Sequence, residues 1–191
     1  MHLAGTCDRC DRLEAHVRDF FAGREIERVE WTGGPIGARN PHFHVLRVAP
    51  DDGDDLWAYV SIGNAAWDNE RARGLEFVLA TAEPSDRAVE LLAWNCWYDR
   101  EGILGIGHTV PIGEPWLPGS ACDHWLIGLP YPWGPDLEVA HVDGQHVDFL
   151  WLLPITALER AFKVQHGQEA LEQRFEDAAI EFWDPERVPV A

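Results

Sequence analysis

No stretch of this sequence approaches the roughly 20 consecutive apolar residues that cross a bilayer, and no basic-then-apolar leader opens it. Neither a membrane-spanning helix nor a secretory signal is expected, and a cytoplasmic location follows. Cysteine is scarce. Cys7, Cys10, Cys96 and Cys122 are scattered rather than spaced as the framework of a small secreted domain, so reduced thiols are expected. Positive charge is scarce as well, with 15 Lys and Arg against 33 Asp and Glu, a net charge of −18. A surface this acidic repels phosphate backbones and anionic headgroups, which disfavours nucleic acid and membranes, so neither is expected as a partner, and it suits a basic protein. Nucleophile signatures are missing too: there is no Gly-x-Ser-x-Gly elbow, and Ser61, Ser85 and Ser120 lack the flanks of a nucleophile. Gly105-Ile106-Gly107-His108 has no third glycine at dinucleotide-binding spacing. The chain does not read as an enzyme, and no cofactor is expected.

What is present is enough apolar residue to build a core: 46% of 191 residues, the length of one domain over 1–191, with residues 1–6 expected to be loose. Leu13, Val17, Phe20 and Phe21 recur at helical spacing before Gly23. Strands are predicted over Ile26–Trp31, Phe43–Val48, Leu56–Ile62, Leu75–Ala82 and Asp123–Leu129, with Thr32-Gly33-Gly34-Pro35 as a turn and the acidic Asp51–Asp55 as a hairpin tip. Ser85 or Asp86 caps a helix to about Tyr98, with Ala88, Leu91, Leu92 and Asn95 on one side. From Asp99 to Ala121 a long Gly- and Pro-rich loop is expected, without an element of its own. Leu137–Val142 begins a hairpin. Its Asp143-Gly144 turn sets His141 opposite His146 and Ala140 opposite Val147.

Residues 146–179 carry the strongest local signals. Val147, Phe149, Trp151 and Leu153 alternate along a strand that Pro154 is expected to stop. Thr156 and Glu159 then form a Thr-x-x-Glu helix start. Leu158, Ala161, Phe162 and Gln165 give a helical stripe directed at the core, Gly167 breaks the helix, and Leu171, Phe175, Ala178 and Ala179 give a second. The predicted class is α+β, a mostly antiparallel β-sheet packed against helices and covered on one side.

Leu153-Pro154-Ile155-Thr156, Glu159 to Phe162, Gly167 to Leu171 and Asp184-Pro185-Glu186-Arg187 together resemble the C-terminal part of the suppressor of fused-like domain family. Upstream, Tyr59-Val60-Ser61-Ile62-Gly63 is similar to that family's Ser-x-Gly strand, and Leu75-Glu76-Phe77-Val78-Leu79 to its Glu-Leu strand. The resemblance covers roughly residues 56–188 and is to the short prokaryotic type. It implies a non-enzymatic protein-binding module: animal members sequester a transcription factor by clamping an extended peptide, and short prokaryotic members are thought to act as immunity proteins of polymorphic toxins. It further implies a partner-binding role for Trp67 and Asp68, the nearest match to the loop after the Ser-x-Gly strand.

Physical chemistry supports the same residues, since an exposed Trp beside acids anchors a basic partner, and Trp116 and Trp133 in Pro/Gly loops are candidates by the same reasoning. Two further readings stand beside this one. Cys7-x-x-Cys10 before a helix, with a histidine pair such as His42/His44 or His141/His146, would serve a small metal- or thiol-dependent enzyme, although no carboxylate pattern completes a metal site. An intracellular adaptor or scaffold is the other.

Overall fold

A computed structural model describes residues 7–67 and 73–191; Asp68 and residues 1–6 lie outside the described residues. In chain order the elements are helix α1 (Asp8–Phe20), strand β1 (Ile26–Glu30), helix α2 (Gly34–Arg39), strands β2 (His44–Val48), β3 (Trp57–Ile62) and β4 (Gly74–Thr81), and helix α3 (Asp86–Tyr98). Then come β5 (Thr109–Pro111), β6 (His124–Gly128), the one-turn α4 (Pro135–Glu138), β7 (Val139–Val142), β8 (Gln145–Ile155), α5 (Ala157–His166) and α6 (Gln168–Asp177). The sheet pairing is mostly antiparallel and packed with helices, the predicted α+β class. No helix among the described residues is long and apolar enough to cross a membrane.

The chain divides into two compact units, and the division falls within β8. In the first, residues 1–104 and 129–151, β1, β2, β3 and β4 form an antiparallel meander, with Ile26 opposite Val48, Leu46 opposite Val60 and Tyr59 opposite Leu79. β4 then pairs with β8 in parallel, Phe77 beside Leu150, and β7 returns antiparallel to β8 with His141 opposite His146, the predicted register. The turn between them has both central residues at positive φ, Asp143 at 55° and Gly144 at 74°, as a two-residue type I′ loop requires.

The sheet of this unit is covered on both faces, not one. Leu13 and Val17 of α1 bury against Leu46, Val60, Val147 and Phe149, while α3 packs on β3 and β4 from the opposite side through Ala88, Leu91, Leu92 and Asn95. This explains why β3 and β4 are apolar at nearly every position rather than alternating. The predicted turn at Gly34-Pro35 is the start of α2: proline at the first helical positions loses no hydrogen bond there.

In the second unit, residues 105–128 and 152–191, β5 pairs with β6, Thr109 opposite Leu126, and the Asp123 N–H donates to the Ile155 carbonyl at 3.1 Å. The expected featureless loop thus contains a strand, β5, and a 3₁₀ turn over Asp99–Glu101 lies at its start in the first unit. Pro154 does not stop β8, which runs one residue further. The Thr156 capping box is present, its hydroxyl accepting from the Glu159 N–H and the Glu159 carboxylate from the Thr156 N–H. The stripe on α5 is the main departure. Leu158 is 65% exposed, Ala161 and Gln165 are exposed and only Phe162 of the stripe is half-buried, while the fully buried residue of the helix is Glu159. Glu159 faces inward, where Arg187 donates to both of its carboxylate oxygens, so the buried side of α5 is set by this bidentate pair and the capping box rather than by the apolar stripe. α6 buries Leu171 and Phe175 as expected, but it ends at Asp177, and Ala178 and Ala179, predicted on the same stripe, are exposed beyond it.

Candidate partner-binding surface

The Ser-x-Gly end of β3 is built around one carboxylate. Glu76, wholly buried on β4, accepts four hydrogen bonds: the Ser61 hydroxyl at 2.6 Å and the N–H groups of Gly63, Asn64 and Ala65 at 2.9, 3.2 and 3.0 Å. Three successive N–H groups converge on it because Gly63 sits at φ 108°, where a Cβ would press to 3.1 Å from the Phe43 Cα. Burial dominates the acid's titration and pushes the Glu76 carboxyl up to about 7 despite the four donors. The same turn is tied from other sides: the Asn40 amide donates to the Gly63 carbonyl at 2.9 Å, and the Asn64 amide donates to the Leu75 carbonyl and to Asp99 at 2.9 and 3.0 Å.

Trp67 ends this anchored turn. It is half-buried, its ring edge-on to Trp97 of α3 with centroids 6.2 Å apart. The guanidinium groups of Arg100 and Arg39 lie 4.5 and 5.8 Å from the Trp97 ring. Beside Trp97 on α3, Trp94 and Tyr98 are 58% and 46% exposed and one helical turn apart. Together with Trp97 and Trp67 they form a contiguous aromatic patch rather than a scattered exposure, and Trp, Tyr and Arg are the residues that dominate protein contacts. The turn and the helix together make an aromatic platform with cationic flanks.

Of the residues nominated from sequence, Trp67 is on this platform and Asp68 is outside the described residues. Trp116 and Trp133 are elsewhere. Trp116 is wholly buried, edge-on to Trp125 at 6.1 Å, so it fills the core of its own unit and has no surface to offer. Trp133 is half-buried against Trp151 at 6.5 Å. Trp94, Trp97 and Tyr98 are not among the residues that the sequence reading singles out. Their signal was the Trp94-x-x-Trp97-Tyr98 spacing opposite the apolar side of a helix already predicted.

Cys7 and Cys10 are joined by a disulfide, so the expectation of reduced thiols gives way at this pair; Cys96 and Cys122 are buried thiols. In the predicted strand pair His42/His44, the His44 ring is buried, with Nδ1 on the His42 carbonyl at 2.9 Å and Nε2 on Glu14 at 3.0 Å. Both ring nitrogens are thus engaged in structural hydrogen bonds. Among the described residues no three His, Cys, Asp or Glu side chains converge as metal ligands.

Comparison with the curated proteins returns no match. The family model for suppressor of fused protein (SUFU) matches residues 39–188. A crystal structure of a suppressor of fused homolog from Neisseria gonorrhoeae FA 1090 is 34% identical, covering 96% of this chain and 97% of that one with a TM-score of 0.84. Two further structures share the fold at 14% identity. The Sufu–Fu complex has a TM-score of 0.72 over 94% of this chain and 92% of that one. Drosophila Suppressor of Fused has 0.63 over 95% of this chain and 51% of that one, so this chain spans about half the Drosophila protein. With its Ser-x-Gly turn, its capped α5 and its Asp-Pro-x-Arg tail all in place, the chain belongs to the suppressor of fused family.

Proposed function

We propose that this chain is a non-enzymatic protein-binding module whose contact surface is the Trp67, Trp94, Trp97 and Tyr98 platform, and that it works in the cytoplasm as an immunity protein neutralising a basic toxin. The observation that carries the reading is the exposure of Trp94 and Tyr98 one turn apart on a helix whose opposite side is fully packed. A family structure solved as a complex with a protein partner supports a binding role. The net charge of −18 supports a basic partner through long-range attraction that speeds encounter; at the platform itself Arg39 and Arg100 stack on Trp97, so the desolvated aromatics rather than local charge hold the complex.

The test is co-expression with a candidate toxin from a neighbouring gene, paired with titration of the two purified proteins. Wild type restores growth. Trp94→Ala and Tyr98→Ala each weaken binding by about 2 kcal/mol or more, roughly 30-fold in Kd, with the fold unchanged by circular dichroism. Added salt slows association more than it speeds dissociation. Toxicity untouched by co-expression overturns the toxin assignment; full affinity in both variants overturns the surface.

A further inference from the structure

His141 and His146 play no part in the reading above. They face each other on the β7–β8 hairpin, one step out from the Val142 and Gln145 pair that closes the turn. In a two-residue hairpin the closing pair exchanges both backbone hydrogen bonds, so the next pair out is the kind whose side chains stand closest. The imidazole centroids are 4.4 Å apart, and both rings are exposed.

We propose that these two imidazoles form a site for one divalent transition-metal ion of borderline softness, zinc or nickel, with water completing the coordination. Imidazole nitrogen suits these ions. Two metal–nitrogen bonds of about 2.0–2.1 Å put the centroids of the two rings roughly 5 Å apart. The observed separation is within about 1 Å of that spacing, and rotation of the two solvent-facing rings would turn one nitrogen of each toward a shared ion. The backbone beneath them is already set. Asp143 and Gly144 hold the tight turn, the Asp143 carboxylate pairs with Arg12 at 2.7 Å, and the Gln145 side-chain oxygen accepts from Arg9 at 3.0 Å. Turn and strand are thus both tied to α1, and a pre-ordered pair loses less entropy on chelation than two imidazoles on a free chain. Asp148 lies on the same face as His146, but Arg73 engages its carboxylate, so the site has two protein ligands and open positions.

Calorimetric titration of the full chain with zinc chloride and with nickel chloride, without added thiol, tests the proposal. One ion binds per chain. His141→Ala and His146→Ala each weaken it by about tenfold or more, since loss of a direct ligand costs no less than the 10- to 100-fold typical of an outer-shell partner. Both residues are on the surface, so both variants fold, which circular dichroism checks. Cys7→Ser leaves the affinity unchanged. Absence of binding, binding that persists in both histidine variants, or binding lost on Cys7→Ser each overturns the site.

Discussion

Replacing Arg187 with alanine is expected to cost about 3–5 kcal/mol of stability in the second unit, because it strands a buried carboxylate. The Arg187 guanidinium donates to both oxygens of Glu159 at 2.7 Å and to the Pro154 carbonyl at 2.9 Å, with both side chains almost wholly excluded from solvent. Glu159 also accepts the N–H groups of Thr156 and Val190 at 2.8 and 3.1 Å, so one carboxylate ties the start of α5 to the C-terminal tail. Burial alone would raise the Glu159 carboxyl, but the Arg187 hydrogen bonds and charge together with the Thr156 and Val190 N–H groups outweigh it and leave it lowered. A lowered acid contributes stability that is present above its unfolded value near pH 4.5 and lost as pH falls below it. Urea unfolding followed by the near-ultraviolet signal of Trp116 and Trp125 measures the effect. A loss under about 1 kcal/mol would show the pair to be no more than a surface bridge.

Glu76 is expected to give the opposite pH signature in the first unit. Its folded value of about 7 lies above the ordinary 4.5, so its contribution is fully present below about pH 4.5 and is lost as pH rises to about 7. Across that window the stability of wild type relative to Glu76→Gln falls by roughly 3 kcal/mol, at about 1.4 kcal/mol per pH unit. The groups around it are Ser61, Asp99 through Asn64, and the buried Cys96 thiol, which burial and then the Glu76 charge push well up. Among the described residues the groups that donate to Glu76 are one hydroxyl and three N–H groups, so ionising it draws on O–H and N–H dipoles rather than on a cation. Parallel urea titrations of the two proteins from pH 4.5 to 8 are the check, and a difference flat across that range would contradict it.

Much of this fold is written in local signals. The Thr156 capping box, the Ser85 cap of α3, the Asp143-Gly144 turn and the His141–His146 register each depend on residues a few positions apart, and each is found where the spacing puts it. What could not be read locally depends on distant partners. Glu159 is recognisable as half of a capping box, but its second role belongs to Arg187, 28 residues on. The apolar residues of α5 have helical spacing, yet spacing does not say which side faces inward once a buried ion pair competes. The aromatic platform was half legible. The loop after the Ser-x-Gly strand points to Trp67, whereas Trp94 and Tyr98 lie on the solvent side of a predicted helix, where apolar periodicity carries no signal. Trp116 shows the converse: a tryptophan in a Pro/Gly loop is as able to close a core as to face a partner.

Hydroxyl-radical footprinting of the chain, free and in complex with the proposed toxin partner, tests the binding surface most directly, because it reads the exposure of individual aromatic side chains. The platform account requires Trp94 and Tyr98 to lose most of their reactivity in the complex while Leu158 and Val164, exposed on α5, keep theirs. Protection of Leu158 and Val164 with Trp94 and Tyr98 still fully reactive would place the partner elsewhere and contradict it.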